Sequence, residues 1–266
     1  MPARESRQKK IVIAGEDRTH MFLVRRLFDM AVEEVIGEDN TSDRRQFVGL
    51  CGQAEWYNTK HAKTDASRLH VRPTVRVRGT QKSPESIVFG RVWMLAEAEG
   101  ADAVVVLQDS DNDFELLRAA KVKSSEHVDG VPLPAFGVAH RDAEGWLLAS
   151  YRPQNAQEKT RIANATRVLF FDPTREPERL TAQPNGADTD AKRVCAYILG
   201  TGSGLSGKGR APSRPPSDEQ LAGMLPGLAL GRALAAHKAC GVLDFLTAVR
   251  TVASRLFPQT PAVGTG

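Results

Sequence analysis

The chain has 266 residues and a mass of 29.0 kDa, room for one large domain or a main domain with an appendage. Hydrophobic residues at 41% and charged residues at 26% suit a soluble globular protein, and aromatics at 6% exclude a surface built on stacking. The formal net charge of +4 is small, so its distribution carries more meaning than its size.

No segment reads as a membrane span. The longest aliphatic run, at 103–107, is far short of the roughly 20 residues a bilayer requires. The basic N-terminus is followed by an apolar stretch at only 11–14, too short for a signal-peptide core. Cys51, Cys195 and Cys240 lie far apart, giving neither a zinc pair nor a disulfide framework. Reduced thiols in a cytoplasmic protein are the expectation.

Residues 10–15 form a short β-branched run ending at Gly15, the pattern of a buried parallel strand. Phe22, Val24, Leu27, Phe28, Val32, Val35 and Ile36 then recur at three- and four-residue steps, one apolar face of a long helix closed by Gly37. A second strand is expected at 46–51. The segment 58–82 differs in kind: Lys60, Lys63, Arg68, Arg72, Arg76, Arg78 and Lys82 face a single acid, Asp65. Its part from 71 to 78 alternates as an edge strand would, and Pro73 excludes a central one. Ser83 and Pro84 open a helix running to about Glu99.

The clearest buried strand is 103–108. Asp109, Asp111 and Asp113 sit at its C-terminal end, and a helix to about Lys123 is expected after them. A strand at 134–139 leads into a helical stretch that begins near Asp142 and Glu144. Strands alternating with helices predict an α/β fold with a mostly parallel sheet. A helix is expected at 188–199. Residues 200–218, rich in Gly, Ser and Pro, read as a flexible linker, and 219–266 as a C-terminal helical segment. The P-loop-like start at 202–208 lacks the Ser or Thr after Lys208, and its prolines forbid the helix that must follow.

Glu16, the aspartates at 109, 111 and 113, and the Asp142/Glu144 pair all fall at predicted strand ends. That edge of an open parallel sheet is where ligands bind. Carboxylates crowded at alternate positions repel one another, and a hard divalent cation removes that cost. His140 lies beside the pair as a further acid/base candidate, Trp146 reads as a packing residue, and Cys195 as core.

A strand ending in Gly15-Glu16 before a helix, and a later strand ending in Asp109-x-Asp111, resemble the Toprim domain. Asp142-x-Glu144 followed by Gly-Trp-Leu-Leu-Ala resembles the extra acidic pair of the overcoming-lysogenization-defect (OLD) nuclease branch. The resemblance covers about residues 8–150. It implies a Toprim-like, Rossmann-like fold in a domain of 1–199. It also implies a Mg²⁺- or Mn²⁺-dependent endonuclease using one or two ions. Glu16, Asp109 and Asp111 would be the core metal ligands and catalytic groups, with Asp113, Asp142 and Glu144 supporting a second ion. His20 stands where the OLD pattern has a second Glu, and counts among the metal ligands. Lys192 would serve near the transition state, as a downstream Lys does in that family.

Two cations can activate a water and stabilise the leaving oxygen of a phosphodiester. The basic segment 58–82 would grip the nucleic-acid backbone, DNA or RNA. The resemblance further implies anti-phage defence with a separate ATPase, and the C-terminal helices are candidates for docking it or a second copy. The rival expectation is a degenerate Toprim-like scaffold that binds nucleic acid or protein. Phosphoryl transfer on a small molecule is a third, disfavoured by the length of the basic segment.

Overall fold

A computed structural model describes residues 7–36, 42–71, 84–110, 132–139, 142–181, 188–200, 202, 204–205 and 241–258. The expected helix after Asp113, most of the linker, the edge strand at 71–78 beyond Val71, and the first of the two C-terminal helices lie outside the described residues.

Five strands form one sheet: β1 (Lys9–Gly15), β2 (Arg45–Val48), β3 (Tyr57–Asn58), β4 (Ala103–Asp109) and β5 (Leu133–Ala139). Every described pairing is parallel, in the order β2-β1-β4-β5, with β3 beside the end of β1. Parallel strands need crossover connections: α1 (Arg18–Ile36) lies between β1 and β2, and α2 (Ala62–Arg68) and α3 (Pro84–Ala98) lie between β3 and β4. The helices α4 (Ala143–Ser150), α5 (Ala156–Leu169), α6 (Ala191–Ile198) and α7 (Val242–Leu256) follow β5.

The two-residue period of the strands splits the core cleanly. Ile11, Ile13, Val105, Leu107 and Ala135 face one side, against α1, α4, α6 and α7. Val12, Ala14, Val104, Val106, Phe136 and Val138 face the other, packed with Phe89, Val92 and Leu95 of α3 and Ala62 of α2. All seven residues of β4 are buried, which explains why its sequence is a continuous apolar run rather than an alternation.

Two sequence expectations change. The second strand ends at Val48 instead of Cys51. Residues 49–54 turn back on themselves, with Gln53 N donating to Leu50 O at 3.0 Å and Gly49 N to Ala54 O at 3.1 Å. A Cβ at Gly49 would lie 2.5 Å from the carbonyls of both Gln53 and Trp56, so the turn requires glycine there. The basic segment begins as strand β3 and helix α2. Helix α5 was not anticipated, although Asn155 and Glu158 form the reciprocal cap that announces it. Asn155 Oδ1 accepts from Glu158 N at 2.9 Å, and Asn155 Nδ2 donates to Glu158 Oε1 at 2.8 Å.

The largest revision concerns the last helix. Sequence patterning placed it in a tail beyond a linker, available for docking. In the structure α7 lies on β5 and α1, and Val242, Phe245, Leu246, Val249, Val252, Ala253 and Leu256 are buried in the main core. Its apolar face is therefore spent inside the α/β unit. Gly137 of β5 makes room for it, since a Cβ there would come within 2.5 Å of the Phe245 ring. Phe245 in turn stacks at 5.4 Å on Trp146 of α4, which is fully buried as expected. At the rim, Arg250 donates to both carboxylate oxygens of Glu34 on α1, at 2.7 and 2.8 Å. The start of the expected linker is also anchored: Arg193 Nη2 donates to Leu205 O at 2.8 Å, and Leu205 is buried.

Candidate functional site

The C-terminal ends of β1 and β4 and the N-terminus of α4 meet at one place. Asp109 is the last residue of β4, and its Oδ1 accepts from Ala143 N, the first amide of α4, at 2.8 Å. A helix start leaves its first amides without intrahelical partners, and a carboxylate there also complements the helix dipole. Asp109 thus ties the central strand to the helix carrying Glu144. Asp142 stands at the N-cap of α4 with extended backbone, and Asp142 and Glu144 are both buried.

From the other side comes the first turn of α1. Asp17 precedes that helix, and its Oδ1 accepts from Thr19 N at 2.9 Å and His20 N at 3.3 Å. His20 is 1% exposed and reaches two carboxylates: Nδ1 lies 2.9 Å from Asp17 Oδ1 and Nε2 lies 3.2 Å from Asp109 Oδ1. The close approach of His20 to β1 is possible because residue 15 is glycine; a Cβ there would lie 2.4 Å from the Cβ of His20.

These neighbours shift the protonation of His20, Asp17, Glu144 and Lys192. Burial works against a charge on His20, but Asp109 and Asp17 outweigh it and raise its pKa to about 10. For Asp17, burial raises the pKa, yet hydrogen bonds and charge from His20, with help from Lys192, lower it to about 2. Glu144 goes the opposite way. Burial pushes its carboxyl up to about 8; Lys192 opposes this, while the charges of Asp109 and Asp142 add to it. Lys192, in the first turn of α6, pays some desolvation, but Glu144, Asp142, Asp109 and Asp17 together raise its pKa. Cys195 is buried nearby, and burial pushes its thiol far up, which suits the expected core residue.

The predicted site residues therefore divide. Asp109, Asp142, Glu144, His20 and Lys192 share one electrostatic neighbourhood. Glu16 is partly buried at the end of β1. Asp111, Asp113 and His140 lie outside the described residues. His20, expected among the metal ligands, has Nδ1 against Asp17 and Nε2 against Asp109. Asp17 was passed over in the sequence. The signal was present as Asp-x-x-His at a helix start, where one carboxylate can cap the helix and hold the His at once.

The comparisons with known proteins add no relative: no family model matches the chain, and no curated protein or solved structure matches it significantly.

The donor chemistry fits a hard divalent ion. Asp109, Asp142 and Glu144 offer only carboxylate oxygens, and the raised pKa of Glu144 marks a buried carboxyl short of positive charge. Among the described residues, the hydrogen bonds to Asp109 fall on Oδ1. Among the described residues, no three His, Cys, Asp or Glu side chains converge closely enough to hold a metal by themselves. Of the basic residues, Lys60 follows β3, which pairs with Ala14 and Gly15, so the basic segment starts at the same sheet edge as Glu16. Lys63 and Arg68 lie on α2; Arg72, Arg76, Arg78 and Lys82 lie outside the described residues. No described helix is long and apolar enough to cross a membrane.

Proposed function

We propose that the protein is a divalent-metal-dependent nuclease of the Toprim type, hydrolysing phosphodiester bonds of DNA or RNA. The observation that carries this reading is the shared electrostatic neighbourhood of Asp109, Asp142, Glu144 and Lys192 at the C-terminal edge of a parallel sheet. The Toprim-like order of acids along the chain supports it. So does a basic segment that starts beside the same edge.

Asp109, Asp142 and Glu144 would hold Mg²⁺ or Mn²⁺, joined by Glu16, Asp111 and Asp113. The ion would supply Lewis-acid stabilisation and an activated water. The chain's own cations divide the remaining work. Lys192 sets a positive charge opposite the phosphoryl oxygens as negative charge builds on them. Lys60, Lys63 and Arg68 hold the flanking backbone. Glu144 would hold the ion as a carboxylate.

The test is cleavage of plasmid DNA and of structured RNA with Mn²⁺ or Mg²⁺, comparing wild type with Asp109→Asn. Metal-dependent cleavage that Asp109→Asn abolishes supports the reading; equal activity in a folded Asp109→Asn sinks it. A partner ATPase and a role in anti-phage defence belong to the same reading and rest on the resemblance alone. The rival, a Toprim-like scaffold without cleavage, draws support from the engagement of Asp109 by His20. In that case no divalent ion would raise the melting temperature.

A further inference from the structure

We infer that Gln108 is a specificity-determining residue of this site, selecting RNA by accepting a hydrogen bond from a ribose 2′-hydroxyl. This rests on the nucleic-acid reading above and names its substrate class. Gln108 is the penultimate residue of β4 and is 3% exposed. Among the described residues, its Oε1 is buried without a hydrogen-bond partner. Buried polar groups are nearly always paired, so an open carbonyl oxygen at a strand end calls for a donor from outside the fold.

The topology puts that oxygen where ligands are received. From β1 the chain passes through α1, on one face of the sheet, to β2. It returns through α2 and α3, on the other face, to β4 on the opposite side of β1. The winding therefore reverses between β1 and β4, and the crevice at the C-terminal ends of such a strand pair is the binding place of open parallel sheets. Successive residues of a strand face opposite sides. Asp109 meets His20 of α1 and the first amide of α4. Gln108 instead follows Val104 and Val106 to the other face, opposite Val138, where Ala62 seats α2 and its Lys63. The end of β4 thus sets a carboxylate on one face and an open acceptor on the face of the basic helix.

Chemistry selects the donor. The phosphate, ester and ring oxygens of a nucleic-acid backbone are all acceptors, so a DNA backbone offers Gln108 nothing. Ribose adds one donor, the 2′-hydroxyl, close to the phosphate, and it is the group by which a protein tells RNA from DNA. Base amines also donate, but they lie beyond the sugar from the phosphates that Lys60, Lys63 or Lys192 would hold. An acceptor that folding has already desolvated loses no further hydration when the hydroxyl arrives, and the low local dielectric strengthens the bond.

The experiment is fluorescence anisotropy with the full chain in EDTA and three labelled strands of one sequence: ribose, deoxyribose and 2′-O-methyl. The last keeps the oxygen and lacks its proton. Wild type should bind the ribose strand about tenfold more tightly than either of the others, the effect of one hydrogen bond to an otherwise unpaired buried acceptor. Gln108→Met keeps the length of the side chain without its carbonyl. It should bind all three strands alike, at the wild-type affinity for deoxyribose, and melt no lower than wild type, because an unpaired polar group has been removed. Equal affinities in wild type overturn the inference, and so does a ribose preference that Gln108→Met retains. A lower melting temperature in Gln108→Met means the carboxamide is satisfied within the fold, and overturns it too. Binding to none of the strands overturns the nucleic-acid reading as well. Metal-dependent cleavage that Asp109→Asn abolishes, without a ribose preference, sinks this inference alone.

Discussion

His20 on α1 and Asp109 at the end of β4 meet at 3.2 Å inside the protein, 89 residues apart in the chain. Asp109 is at the same time the cap of α4, through Ala143 N. One carboxylate therefore locks two helices to the central strand. The His20–Asp109 pair is structural as well as electrostatic, and its removal has consequences beyond the site.

Replacing His20 by Ala leaves Asp109 and Asp17 without their shared partner. Breaking a buried pair from one side costs about 3–5 kcal/mol, since the remaining charge stays desolvated. Urea unfolding of His20→Ala in EDTA is expected to show a loss of that order. A change under about 0.5 kcal/mol would mean the pair is not formed in solution.

Stability without metal should depend on pH in a defined way. The pKa of His20 rises from 6.5 to about 10 on folding, so its contribution is complete below pH 6.5 and lost as pH climbs through 10. Glu144 rises from 4.5 to about 8, so folding is increasingly penalised from pH 4.5 to 8 and remains so above. Asp17 falls from 3.8 to about 2, and its contribution is lost only as pH drops through that range. Melting temperature in EDTA should therefore decline between about pH 4.5 and 10. Glu144→Gln should flatten the part between about pH 4.5 and 8, and His20→Gln the part between about pH 6.5 and 10. A flat wild-type profile contradicts both assignments.

Lys192 provides a catalytic test that leaves the core intact, because its side chain sits at an exposed position. Removing a group that stabilises developing charge costs about 10²–10³ in kcat. Lys192→Ala should lose cleavage on that scale while staying folded, with at most a small fall in melting temperature from the lost attraction to the carboxylates and with Mn²⁺ binding at least as tight. Unaltered kcat would remove Lys192 from the mechanism.

The docking of α7 can be tested at a single methyl group. A Cβ at Gly137 would lie 2.5 Å from the Phe245 ring, so Gly137→Ala must displace α7 from β5. Overpacking of this kind costs about 1–3 kcal/mol. Thermal unfolding should register the loss, and combining it with Phe245→Leu should recover part of it. Full stability in Gly137→Ala would mean that α7 is not seated on the sheet.

Lys60, Lys63 and Arg68 are expected to contact phosphates. Each phosphate neutralised on duplex DNA contributes about −0.9 to the slope of log affinity against log salt. Triple substitution to Ala should weaken binding and reduce the slope by about 2–3, read by fluorescence anisotropy at several salt concentrations. An unchanged slope would make α2 a solvated face.

Much of the α/β scaffold was legible because its signals are local. The β-branched runs of β1 and β4, the apolar face of α1 and the Ser-Pro start of α3 each declare an element from neighbouring residues alone. The acids at the strand ends followed, because a parallel sheet gathers those ends at one edge. The cap Asn155–Glu158 was equally local and equally readable, and α5 could have been found from it.

What the tertiary structure decided are relationships across the chain. Whether an amphipathic helix such as α7 docks outward or inward depends on a receiving surface, and Gly137, more than 100 residues earlier, provides it. His20 reads as a substitute ligand when only its spacing from Glu16 is known. Folding buries it between Asp17 and Asp109, with one ring nitrogen against each carboxylate. The overall charge of +4 says nothing of this, because protonation is set by neighbours within a few ångströms, and chain folding selects those neighbours.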